Sequence, residues 1–77
     1  MKYIRDFIES ELEHYRKECN FTDDELAYFN MKAKDYSDNK ITIELNVSIS
    51  KVNKLSRQVR DKVKRVDRIY LSKNDEN

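Results

Sequence analysis

The sequence predicts an all-α fold, a four-helix domain, from three observations. Glycine and proline are both absent from its 77 residues, which removes the residues that sharply turned β architectures lean on. Charged residues make up 40% of the chain, and many of the others are good helix formers. Three positions carry a helix-start signature. Each is a Ser or Thr able to accept from the free amide groups of a first turn, with an apolar residue just before it and another four after it. They are Thr22 between Phe21 and Leu26, Ser37 between Tyr36 and Ile41, and Ser48 between Val47 and Val52.

The expected helices cover about 2–18, 23–35, 38–45 and 49–71. In the first, Ile4, Phe7, Ile8, Leu12 and Tyr15 recur at three- and four-residue steps and form one apolar stripe, opposite Asp6, Glu9, Glu13 and Arg16. The second opens on a capping box, because Glu25 stands three after Thr22, and Asp23 and Asp24 suit the positive end of its dipole. It is expected to bury Leu26, Phe29 and Ala33. The third buries Ile41 and Leu45 and ends at Asn46, the best-tolerated non-glycine residue where a turn needs positive φ. The fourth carries Val52, Leu55, Val59, Val63, Val66 and Tyr70 on its inward stripe. Residues 1–71 read as a single domain and 72–77 as a frayed polar tail. Val63, Val66, Ile69 and Tyr70 extend beyond the third helix's reach, so they pack on the first helix or on a second copy, and a homodimer is expected.

One rival reading covers the middle of the chain. Ile41, Ile43, Leu45, Val47 and Ile49 alternate with polar residues, which is the pattern of a half-buried strand. No convincing partner strand exists elsewhere, and a lone strand cannot satisfy its backbone. The helical reading is preferred, at the cost of leaving Ile43 and Ile49 partly exposed.

Composition narrows the function. A core this small contributes about 3–5 kcal/mol net, with no room for a deep small-molecule site. No phosphate-cradling glycine loop is possible, no apolar run reaches the roughly 18–20 residues of a membrane span, and the early acids do not suit a signal peptide. The expected compartment is the cytoplasm. Cys19 and His14 are each single, so neither a disulfide framework nor a metal set is expected, nor a cofactor. Glu9, Glu11 and Glu13 spread around a helical cylinder and do not converge as paired catalytic carboxylates, so an enzyme is not expected.

Charge is strongly segregated. Residues 1–46 hold 7 basic and 11 acidic side chains, a balance of −4, whereas residues 47–77 hold 9 and 4, a balance of +5. On a helical wheel with Val52, Val59 and Val63 inward, Ser50, Asn53, Lys54, Arg57, Asp61 and Lys64 project outward, with Lys51 and Arg60 on the flanks. Arg57 and Lys54 suit guanine O6 and N7, and Asn53 suits adenine N6 and N7. Ser37, Asn39, Lys40, Ser48, Arg60 and Lys64 are placed for the sugar-phosphate backbone. Lys62, Arg65 and Arg68 lie further along, where nonspecific contact is expected.

The stretch from Thr22 to Val63 resembles the helix-turn-helix of sigma-factor region 4 and of LuxR-type regulators. The resemblance rests on FTDDELAYF at its start, on Ser37 to Leu45 as the small-polar-start helix, on the Val47-Ser48 turn and on Val52 four residues later. The whole chain looks like the small sigma-like regulators of phages and mobile elements in Gram-positive bacteria. The resemblance implies base-reading contacts at Ser50, Lys51, Asn53, Lys54 and Arg57, and implies RNA polymerase as a further partner. Thr42 stands where that family prefers Ala, Ile43 where it is polar, and Leu55 comes three rather than four residues after Val52.

The expectation is therefore a sequence-specific, double-stranded-DNA-binding transcription regulator that puts a basic helix (49–60) in the major groove. The alternative is a small inhibitor- or antitoxin-like module whose basic helix docks an acidic protein surface.

Overall fold

The computed structural model describes residues 4–75, with side chains described over 4–67. A 3-10 turn at Ile4–Asp6 leads into α1 (Glu9–Glu18), α2 (Asp23–Ala33), α3 (Asp38–Leu45) and α4 (Ile49–Asp75), with no strand among the described residues. The alternating apolar residues of the 41–49 stretch thus belong to α3, a turn and the start of α4. Ile41 is fully buried, while Ile43 and Ile49 remain 77% and 47% exposed.

The first expected helix is broken. Ile8 is extended at φ −78°, ψ 165° and 63% exposed, so it leaves the apolar stripe. Ile8 has no side-chain acceptor with which to cap α1. Glu11 instead reaches back to accept the Ile8 N–H at 3.0 Å, supplying half of a capping box and fixing the break. The break lets Phe7 pack on Tyr15, with ring centroids 4.9 Å apart, which one straight helix would place two turns apart.

The other starts follow their capping residues. Thr22 accepts the Glu25 N–H at 3.3 Å and Glu25 accepts the Thr22 N–H at 3.0 Å. Ser37 accepts from Lys40 N–H, and Ser48 from Lys51 N–H, both at 3.2 Å. Among the described residues three turns need positive φ, and in a chain without glycine they are held by Asn20 (53°), Asp35 (63°) and Asn46 (56°). α2 accordingly ends at Ala33, two residues before the expected boundary. Tyr36 N–H then bonds back to Met31 O, and Val47 N–H to Thr42 O, both at 3.1 Å.

The core joins all four helices. Leu12, Tyr15 and Cys19 from α1 meet Tyr28 and Phe29 from α2, Ile41 from α3, and Val52, Leu55, Val59 and Val63 from α4. In α2 the inward face is Glu25, Tyr28 and Phe29, so Leu26 and Ala33 are only half-buried rather than central. Phe29 is boxed between Phe21 (4.9 Å) and Tyr15 (6.4 Å). That aromatic cluster sets the rotation of α2.

Val63 is 1% exposed, and Val66 packs against the same core. α1 also reaches this part of α4 through Tyr15, whose hydroxyl donates to Asp67 Oδ1 at 2.6 Å. Packing within the chain accounts for Val63, and the half-buried Val66 rests against the same core. The side chains of Ile69 and Tyr70, expected to share that role, lie outside the described residues. α4 runs four residues past its expected end near Leu71, and 72–75 continue it. Nothing in that stretch breaks a helix. Residues 76 and 77 of the expected tail lie outside the described residues.

Candidate nucleic-acid interface

The Asn46 turn fixes how α3 presents α4. Asn46 lies at φ 56°, ψ 49°, and its N–H bonds to Ile43 O at 3.3 Å. With Val47 N–H on Thr42 O, this closes the end of α3 within two residues, and Ser48 can start α4 at once. Thr42, half-buried, directs its hydroxyl to Asn39 O, so the polar group is satisfied within α3. Val52, Leu55 and Val59 are each 0–1% exposed, which anchors the inward face of α4. The three-residue step from Val52 to Leu55 is accommodated, and the outward set keeps its orientation.

Ser50, Asn53, Lys54, Arg57, Asp61 and Lys64 are all exposed. Among the described residues no carboxylate lies within ion-pair distance of Lys54, Arg57, Arg60 or Lys64. Asp61 stands among these cations and would repel phosphate. It marks the boundary between the first three turns of α4 and the rest.

Two cations are committed elsewhere. Lys62 donates from Nζ to Glu25 Oε1 and to Asn20 O, the latter at 3.1 Å, so it ties α4 to the α1–α2 connection. It is not available as the nonspecific backbone contact expected of it. Burial works to raise the Glu25 carboxyl, but Lys62 and the Thr22 amide outweigh burial and hold it below the ordinary carboxylate range. Lys51 is half-buried and turns toward α2, its Nζ 3.9 Å from Asp24 Oδ2. It lies on the flank, apart from the outward residues expected to read bases.

The expected backbone contacts cluster around α3 and the mid-part of α4. Ser37 and Ser48 are exposed but already accept an amide in their caps, and each retains a hydroxyl proton to donate. Asn39 is exposed, and the Lys40 ammonium sits 4.1 Å from the Tyr36 ring centroid. Arg60 and Lys64 line a groove of about 650 Å³ between α4, the ends of α2 and α3, and the 3-10 turn. Sequence reasoning did not find this groove, because its walls come from four separate elements.

The remaining titratable core groups are structural. Burial first, and then Asp67, raise the Tyr15 phenol, so it stays a neutral donor. Burial pushes the Cys19 thiol up to about 11. Among the described residues no group of three or more acidic, His or Cys side chains could hold a metal ion, and no helix is long and apolar enough to cross a membrane. Compared with protein-family models, curated proteins and solved structures, the chain matches none.

Proposed function

We propose that this chain is a sequence-specific duplex-DNA-binding regulator, with α3–turn–α4 acting as a helix-turn-helix and the first turns of α4 entering the major groove. The observation that carries the reading is the exposure of Lys54 and Arg57, with no carboxylate in ion-pair distance among the described residues, on a helix capped by Ser48 and anchored through Val52, Leu55 and Val59. A helix held rigidly on one face and cationic on the other meets the geometric need of major-groove readout. Ser50, Asn53, Lys54 and Arg57 are assigned to base edges. Ser37, Asn39, Lys40, Ser48, Arg60 and Lys64 are assigned to phosphates, and Lys51 makes at most an edge contact. The likeness of residues 22–63 to sigma-factor region 4 supports the assignment.

One such helix covers a short site, so useful specificity needs a second copy or a polymerase beside it. Val66, half-buried against the core, Ile69, Tyr70 or another surface would have to supply a dimer contact, since Val63 belongs to the chain's own core. The test is selection of bound sequences from a random duplex pool. A recurrent motif is the expected result, and a pool that stays random through successive rounds overturns sequence-specific binding.

A second reading is favoured by a separate observation. Ile43 and Ile49 are 77% and 47% exposed at the start of the basic face. Apolar residues beside cations suit an acidic, partly apolar protein surface. Elution from heparin at low salt, together with no shift of random duplex, favours that inhibitor- or antitoxin-like module over the regulator.

A further inference from the structure

We infer that the groove on the α3 side of α4 is a binding site for a phosphate of the duplex backbone, and that Arg5, from the 3-10 turn, is one of its contacts. The inference deepens the DNA-binding reading and rests on it. The walls carry four cations, Arg5, Lys32, Arg60 and Lys64, against two carboxylates, Asp35 and Asp38, so the groove holds a surplus of two positive charges. The two acids are already engaged. Lys32 Nζ sits 2.7 Å from Asp38 Oδ1, and Arg5 Nη1 sits 3.3 Å from Asp35 Oδ1. Arg60 and Lys64 have no carboxylate within ion-pair distance among the described residues, and the half-buried Ser56 also lines the groove.

The two ion pairs differ in how easily they open. Lys32 and Asp38 are 27% and 44% exposed, whereas Arg5 and Asp35 are 54% and 69% exposed. An exposed pair gains little net stability and is screened by salt. A guanidinium accepts a phosphate as readily as a carboxylate, through the same fork of N–H groups. Arg5 can therefore exchange Asp35 for a phosphate while its cation neighbours hold that phosphate from the other wall. The duplex is the chosen source because the groove is continuous with the proposed interface. Lys64 belongs to both the groove and the outward face of α4, and the exposed Asn39 and Lys40 follow Asp38 on α3.

Salt dependence tests this. Each phosphate neutralised adds about −0.9 to the slope of log K against log salt, so each contact accounts for about a 3.5-fold loss of affinity between 50 and 200 mM salt. Arg5→Gln, Arg60→Gln and Asp35→Asn variants of the full chain would be titrated with a random-sequence duplex across that range. Far-UV circular dichroism would check that each variant is folded. Arg5→Gln and Arg60→Gln share one phosphate, so each should shrink the salt-induced loss measurably and the double variant by up to about 3.5-fold, equally on every duplex. Asp35→Asn should tighten binding, because it removes a carboxylate that both competes for Arg5 and repels phosphate, and this gain should be smaller in the Arg5→Gln background, where only the repulsion is relieved. An unchanged salt slope in folded Arg5→Gln, or an Asp35→Asn gain that is undiminished without Arg5, overturns the inference. Arg57→Ala reports on the DNA-binding reading separately. If Arg57 matters and Arg5 does not, only the groove assignment fails. If wild-type protein binds no duplex but Arg5 and Arg60 respond to inorganic pyrophosphate by NMR, the site takes free phosphate and the duplex assignment is overturned.

Discussion

Replacing Lys62 with Met should destabilise the fold by about 1.5–3 kcal/mol. Glu25 is 3% exposed and Lys62 shields it from the α4 side, donating to its Oε1 while that oxygen also accepts the Thr22 N–H. Methionine keeps much of the length and apolar bulk of lysine but removes the charge. A hydrogen bond to a charged group contributes about 1.5–3 kcal/mol, and removing one partner of a fully buried pair costs about 3–5 kcal/mol. The lower range applies because the Lys62 side chain is 23% exposed and water can partly replace it. For a chain of this size each 1 kcal/mol lowers Tm by roughly 4–8 °C, so a drop of about 6–24 °C is expected. Urea unfolding followed by circular dichroism at pH 7 measures the loss. The pair also has a pH signature. A carboxyl depressed in the fold stabilises it above the unfolded value, near 4.3 for Glu, and that contribution fades as pH falls through the folded value. The gap between wild type and Lys62→Met should therefore narrow in acid. A loss under about 0.5 kcal/mol at pH 7, or a gap that stays constant down to low pH, refutes this account of the Glu25 site.

Other positions give independent checks. Asn46→Val should cost about 1–2 kcal/mol in denaturant unfolding, because a β-branched residue resists the left-handed region, while Asn46→Gly should be nearly neutral. Tyr15→Phe should cost about 1 kcal/mol and remove a late-ionising phenol from an ultraviolet pH titration, since burial and Asp67 raise that phenol above its ordinary value. Stability supplied by the neutral Tyr15 phenol is fully present below the ordinary tyrosine value and is lost above it. Cys19 is fully buried with its thiol pushed up, so a disulfide-exchange reagent should label it only as fast as the protein opens.

The parts of this fold legible in the sequence are those fixed by short-range chemistry. Ser37 and Ser48 each signal a helix start through contacts three residues away, and α3 and the start of α4 fall where those caps put them. Asn46 could be read as a positive-φ turn because glycine is absent. The same reasoning applied to Asn20 and Asp35 would have placed the other two turns. The break at Ile8 was hidden because α1 is capped by Glu11, one of three closely spaced acids with nothing to distinguish it. The tie from Lys62 to Glu25 spans 37 residues, and the groove draws on the 3-10 turn, α2, α3 and α4 together. Periodicity along one helix cannot report either. It put Lys62 among cations facing a partner, whereas packing of α2 gave it a buried carboxylate instead.

The central claim is that the outward side of α4 reads bases, and Arg57 is its most direct probe. Wild type and Arg57→Ala would be titrated against a selected duplex and a set of single-base-pair variants of it at fixed salt. Wild type should discriminate at one position by about 1–3 kcal/mol, and Arg57→Ala should lose that discrimination while retaining the others. Equal weakening by Arg57→Ala on every duplex, or no duplex binding by wild type at all, would contradict the claim.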